Sequence, residues 1–254
     1  MGRRRIAGTG ALAFLLAASA ASAQELGPGP RGHERVEFLP GLALHGRFIV
    51  PFGSADREIS AIAGGGGAVV VVDEHLSWAD LFRPGWGAEL ELDLFTGRSR
   101  DSVFGPEASF RYGAFAAAGL ERYEGDRAGD GAGAAMDLED LDLATFTLGG
   151  KIATSLGDGQ RVEGRVGLGV VHTSEVDAVF SGGGAPAFRT EFLRDTWAPA
   201  IEFRGHWGVE FGPLALVLGL GFRAAVPPGE GDAVDLSPGA FFTFDVDVGI
   251  ELGF

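Results

Sequence analysis

The sequence predicts an all-β fold: an eight-stranded antiparallel up-and-down β-barrel that crosses a membrane. Three observations carry that prediction. The first is the stretch Ala240 to Phe254, AFFTFDVDVGIELGF, in which Phe242, Phe244, Val246, Val248, Ile250, Leu252 and Phe254 alternate with Thr243, Asp245, Asp247, Gly249, Glu251 and Gly253. Strict period-two alternation describes an extended strand with one apolar and one polar face. Three carboxylates on the polar face suit a wet lumen, the unbroken apolar face suits lipid, and a spanning strand needs only ~9–11 residues. The second observation is that seven further segments alternate in the same way. The third is that the connections run long, short, long, short, long, short, long, as in a barrel with tight turns on one side of the membrane and loops on the other.

In chain order, Leu42, Leu44, Phe48, Val50 and Phe52 face one way and Ala43, His45, Arg47, Ile49 and Pro51 the other, giving the first strand. Gly53 to Pro84 reads as a partly folded external loop with a Gly64–Gly67 run, an apolar Val69–Val72 run and a short helix around His75 to Phe82. An extra strand at Ala68 to Asp73 would open the way to the alternative of ten strands. The second strand sets Trp86, Ala88, Leu90, Leu92 and Leu94 against Gly87, Glu89, Glu91 and Asp93, and Thr96 to Ser102 turns it. The third runs from Gly105 to about Ala118, with Ala108, Phe110, Tyr112 and Ala114 outward and Glu107, Ser109, Arg111 and Gly113 inward. Acidic, Gly-rich Glu121 to Asp142 is the second long loop.

Phe146, Leu148, Ile152 and Leu156 mark the fourth strand, opposite Thr145, Thr147 and Lys151, and Gly157-Asp158-Gly159 is a tight hairpin turn. The fifth places Val162, Val166, Leu168 and Val170 outward and Glu163, Arg165, Gly167 and Gly169 inward. Ser174 to Thr196 forms the third loop. The sixth has Ile201, Phe203, Trp207, Val209 and Phe211 outward, with Glu202, Arg204, His206 and Glu210 inward. Gly212-Pro213 turns into the seventh, Leu214, Leu216, Leu218, Leu220 and Phe222, and Pro227 to Pro238 is the fourth loop. Trp86, Trp197 and the Phe residues near strand ends are expected to fix the depth in the bilayer.

The N-terminus points to export. Arg3, Arg4 and Arg5 precede the apolar run Ile6 to Ala18, and Ala21-Ser22-Ala23 has the small residues of a cleavage site. Residues 1–23 therefore read as a signal peptide. Residues 24–35, rich in Gly and Pro, read as a periplasmic lead-in, leaving 36–254 for the barrel. With 35 acidic against 20 basic residues and a formal net charge of −15, nucleic acid is an unsuitable partner. The absence of cysteine excludes a disulfide framework and thiol chemistry and argues against the usual zinc sites, so no metal or cofactor is expected. No apolar run after Ala23 reaches the ~18–20 residues of a spanning helix.

The closing strand resembles the C-terminal insertion signal of bacterial outer-membrane β-barrels, alternating hydrophobics that end on Phe254. As an architecture, the chain after residue 23 is similar to small barrels of the OmpA, OmpX and OmpW kind. The resemblance implies a Gram-negative outer-membrane address, a lipid environment, and recognition of Phe242–Phe254 by the barrel-assembly machinery. The role it implies is structural, adhesive or concerned with small solutes, porin-like at most, and it names no surface ligand.

The inward faces collect Arg47, Glu89, Glu91, Asp93, Glu107, Arg111, Lys151, Glu163, Arg165, Glu202, Arg204, His206, Glu210, Arg223, Asp245, Asp247 and Glu251. Eight strands leave an interior just wide enough for side chains to fill. These charges are therefore expected to form a hydrated ion-pair network that plugs the barrel. A narrow cation-selective path is the alternative, because acids outnumber bases. Glu89 and Glu91 have the spacing of a lumen strand, which explains them more simply than glycoside chemistry. Met136-Asp137-Leu138-Glu139-Asp140-Leu141-Asp142 lacks the glycine and spacing of an EF-hand and reads as a solvated loop.

One catalytic alternative stands out. His172 and Ser174 share outward parity at the external end of the fifth strand, and Glu191 shares the parity of the sixth. This resembles the His-x-Ser plus Glu arrangement of PagL-type lipid A 3-O-deacylases, which are also eight-stranded outer-membrane barrels. The resemblance implies that His172 activates the Ser174 hydroxyl and Glu191 orients His172. Where that family continues with Asn, this chain has Glu175, whose charge would repel an oxyanion. Ordinary interface residues at a strand end are the simpler expectation. A soluble, lipocalin-like ligand-binding barrel is a second alternative. The outward rows Leu214–Leu220 and Phe242–Phe254 oppose it, because a soluble barrel would turn them inside.

Overall fold

The structure, a computed structural model, describes residues 39–56, 59–62, 69–72, 76–95, 97–99, 102–118, 121–123, 134–182, 185–231, 234–235 and 239–253. The expected signal peptide, the lead-in and Phe254 lie outside the described residues. Eight long strands form one sheet: β1 (Leu39–Phe52), β2 (Gly85–Phe95), β3 (Ser102–Phe115), β4 (Leu141–Gly157), β5 (Gln160–Thr173), β6 (Thr196–Phe211), β7 (Leu214–Ala225) and β8 (Phe241–Gly253). Each pairs antiparallel with the next, and β8 pairs back onto β1 from Phe52↔Phe242 to Gly41↔Gly253. The sheet therefore closes and has no free edge, the condition for burying backbone in hydrocarbon.

The tight turns carry the backbone their sequences demand. Asp158 and Gly159 both have positive φ, 53° and 71°, joining β4 to β5 through a two-residue hairpin whose twist matches the strands. Gly212, at φ 67°, does the same between β6 and β7. These turns lie at the same mouth as Leu39 of β1 and Gly253 of β8, the mouth expected to face the periplasm; the long loops surround the other, the external one.

Burial is inside out relative to a soluble protein. On β8, Thr243, Asp245, Asp247 and Glu251 are buried while Phe244, Val246, Val248 and Ile250 are exposed. On β7, Leu214, Leu216, Leu218 and Leu220 are all exposed. A continuous apolar exterior over a charged interior is a transmembrane wall, not a soluble surface. That distribution overturns the lipocalin-like alternative. At the external rim Phe52, Phe222 and Phe242 stack across three neighbouring strands, with centroids 5.4–5.9 Å apart. Trp86, packed edge-on to Phe48, and Trp197 stand exposed on the same side, as aromatic anchors do at a lipid headgroup boundary.

The external loops are more folded than their composition suggests. Val69–Val72 is a strand, but it pairs with Ile59–Ile62, which pairs on its other side with Val234–Asp235, in a small sheet outside the barrel, so the barrel has eight strands and not ten. The expected helix is α1 (Trp78–Leu81), a single turn, with Asp80 accepting hydrogen bonds from the Ser77 N–H and hydroxyl. The third loop is a hairpin, Val176–Gly182 and Ala185–Leu193, which joins Ala134–Leu138 and Glu121–Tyr123 of the second loop in a four-stranded sheet.

Backbone hydrogen bonds tie the four loops into a ring. The first meets the second through Arg83 N to Ala116 O (2.8 Å) and Ala118 N to Leu81 O (2.9 Å). The second meets the third at Glu139 N to Asp177 O (2.9 Å), and the third meets the fourth at Arg194 N to Gly229 O (2.9 Å). The fourth returns to the first at Gly239 N to Ser54 O (3.1 Å).

Candidate functional site

Two layers fill the barrel, and both are built from inward residues of the same strands. The deeper layer is ionic. Among the described residues, nine buried carboxylates face six buried Arg and Lys side chains. Charges taken out of water this completely persist only when paired and hydrogen-bonded. Glu89 is the hub of the external half: it meets Arg47, Arg111 (3.3 Å), Arg165 (3.1 Å) and Arg204 (2.8 Å). Asp245 holds Arg47 and Arg111, and Glu202 holds Arg111 (2.7 Å), Arg204 and Arg223 (3.7 Å). Lys151 is the hub of the periplasmic half, within 2.7–3.1 Å of Glu91, Asp93, Glu163 and Glu251. Hydroxyls complete the lining, with Ser109 and Thr147 each 2.7 Å from Arg165 and from one another.

Sixteen of the seventeen side chains expected in the lumen are buried there; Glu210 is exposed. Glu210 sits two residues before the tight turn, where β6 passes beyond the mouth, and there it meets Arg161. Arg161 itself, which also pairs with Glu163 (2.6 Å) and Glu251, was not among the expected lumen residues. Nor was His45, fully buried and stacked on His206. Its alternation on β1, two residues before Arg47 on the same inward face, was the available signal.

The outer layer is apolar. Ile49, Phe115, Leu143, Val171, Ala200, Ala225 and Phe241 continue the inward faces toward the external mouth. The loops close over them with Trp78, Leu81 and Phe82 from the first, Met136 from the second, Val176, Phe180 and Phe192 from the third and Val234 from the fourth. Trp78, completely buried, packs edge-on against Phe241 at 5.2 Å and stacks on Phe82 at 6.4 Å. The external mouth is closed by a hydrophobic core, with a charge network beneath it.

His172, Ser174 and Glu191 each have a different partner. His172 Nε2 lies 2.5 Å from Asp195 Oδ1, and its ring packs on Trp197 at 4.8 Å. Ser174 Oγ accepts the Asp142 N–H at 3.0 Å, and Ser174 N–H donates to Asp142 O at 3.0 Å. Glu191 lies in the third-loop hairpin opposite Asp177, 4.0 Å from Arg194. The acidic 136–142 run is also divided: Met136 is in the cap core, Glu139 pairs with Arg189, and Asp140 accepts the Ala117 N–H. Hydrogen bonding to Asp177, with Glu139 close by, raises the pKa of the exposed Arg189 guanidinium.

No protein-family model matches the chain, and no curated protein matches it. Solved structures similar in architecture include Neisserial surface protein A, at 9% identity over 85% of this chain and 97% of that one, with a TM-score of 0.41. Ail, the attachment invasion locus protein of Yersinia pestis, in complex with the heparin analogue sucrose octasulfate, is 11% identical over 85% and 99% of the two chains, with a TM-score of 0.35. The outer membrane protease OmpT of Escherichia coli is 10% identical over 87% and 99%, with a TM-score of 0.45. At these identities the similarity is one of barrel architecture, and what those proteins bind or cleave stays theirs.

Proposed function

We propose that this protein is a closed outer-membrane barrel with a structural or adhesive role, performed by the folded external surface rather than by a pore or a reaction. The observation that carries the reading is the double closure of the lumen. An ion-pair network alone could hydrate and pass small cations. Among the described residues, a core of Trp78, Phe82, Phe115, Phe180 and Phe192 lies over it on the external side. The loops are tied into one ring, so the surface they present is a defined shape. In this reading outer-membrane lipid surrounds the wall, and the assembly machinery engages the outward row Phe242 to Leu252 of β8. Wild-type protein reconstituted in planar bilayers is expected to give no stepwise current. Salt-dependent current steps from the folded barrel would overturn the proposal.

A further inference from the structure

We propose that the periplasmic half of the lumen is a divalent transition-metal site, with His45, His206 and Asp247 as the protein ligands, an assignment that goes beyond the surface role above. Three neighbouring features of the lumen lead to it. The first is geometry. His45 Nδ1 and His206 Nε2 lie 3.0 and 3.2 Å from Asp247 Oδ1; the first contact is a hydrogen bond, while His206 Nε2 is buried without one. A four-coordinate ion with bonds of ~2.0–2.1 Å spaces its donors about 3.3 Å apart, close to both of these separations. Two imidazoles and one carboxylate, with the fourth position left to water, is a donor set for Zn²⁺ and its neighbours rather than for Mg²⁺ or Ca²⁺.

The second feature is what lies behind the rings. His206 Nδ1 faces Glu163 Oε2 at 3.5 Å, and His45 Nε2 faces Glu91 Oε2 at 3.8 Å. Each imidazole is thus caught between two carboxylates, and His45 Nε2 is buried without a hydrogen-bond partner. The two rings stack 5.1 Å apart at 17°, so both present a nitrogen to the same Asp247 edge. One divalent ion at that edge would give both nitrogens a shared partner. Both distal N–H groups can then donate to Glu91 and Glu163, the carboxylate–histidine–metal arrangement that orients such ligands.

The third feature is packing. The inward positions facing the rings are glycines. A β-carbon at Gly219 would strike the His206 ring and Asp247, and one at Gly249 would strike His45 Nδ1. Glycine at both positions is what lets the two rings lie against the neighbouring strands beside Asp247. The ion would enter from the periplasmic mouth, where Arg161 is the partly exposed member of a pairing with Glu251 and Glu163.

The test uses the full barrel refolded in detergent, freed of metal by a chelator and verified by its heat-dependent gel mobility. Titrated with Co²⁺, it is expected to bind one equivalent with the visible bands of a four-coordinate ion, and Zn²⁺ should displace it. His206→Gln should abolish the bands. Glu163→Gln, which faces the ring and not the ion, should weaken binding about 10–100-fold while preserving the band shape. Folded wild type that takes up no Co²⁺ would overturn the proposal without reference to any variant. Uptake that persists unchanged in the double variant His45→Gln/His206→Gln would overturn it as well.

Discussion

The ionic layer and the apolar cap share the same wall, yet they close the barrel by opposite physics. β1 brings Arg47 into the first and Ile49 into the second; β8 does the same with Asp245 and Phe241, and β6 with Glu202 and Ala200. A step of two to four residues along one strand face changes the lining from charge to hydrocarbon. The ionic layer is held by complementarity among strands that are already fixed in the membrane. Its pairs are strong only as a set, because each buried charge that loses a partner retains its full desolvation cost. The cap has no meaning without the loops: its strand residues line an open mouth until Trp78, Phe180 and their neighbours cover them. The interior charges therefore belong to the barrel, whereas the cap belongs to the ring of loops.

Four substitutions test that division, in descending order of expected effect. Glu89→Ala leaves Arg47, Arg111, Arg165 and Arg204 facing one another, and is expected to destabilise the whole barrel by about 3–5 kcal/mol. Urea unfolding in detergent, followed by gel mobility, measures it; an unchanged midpoint would mean that the network is wet and loosely coupled. Trp78→Ala removes the central ring of the cap, at a local cost of about 3–5 kcal/mol. Its signature should be faster proteolysis in the loops with the barrel intact. Loss of the barrel itself would show that the two layers fold as one unit.

Leu218→Arg puts a charge on the lipid face and should cost about 2–4 kcal/mol if this residue lies near the midplane. Refolding yield into lipid vesicles reads this, and tolerance of the arginine would contradict the membrane-facing wall. Arg189→Ala breaks an exposed pairing with Asp177 and Glu139 on the outer hairpin, and no shift in the unfolding midpoint is expected. A measurable shift would give the external sheet a structural weight that its solvent exposure argues against.

Legibility in the sequence followed the range of the signal. Alternation reports which face a residue takes, and that depends only on its neighbours along the strand, so the inward set could be read from β2, β5 or β8 taken singly. Glu210 shows the limit of that rule: parity says which way a side chain points, not whether the strand is still inside the barrel. The hairpin Val176–Gly182 with Ala185–Leu193 reads as a loop because its segments are short and its partner, Ala134–Leu138, comes from another loop. His45, His206 and Asp247 come from β1, β6 and β8, so no local pattern joins them.

By itself the sequence determined that the chain crosses the membrane as a β-barrel, which side of each strand meets lipid, and that the interior is charged. Those are properties of period, composition and connection length, all local along the chain. The choice of eight strands over ten waited for the pairing of Val69–Val72. The tertiary structure alone decided which carboxylate meets which guanidinium, where two histidines stack, and that the loops seal the external mouth. These depend on strand register and loop pairing around a closed ring, where residues some 200 positions apart, such as His45 and Asp247, become neighbours.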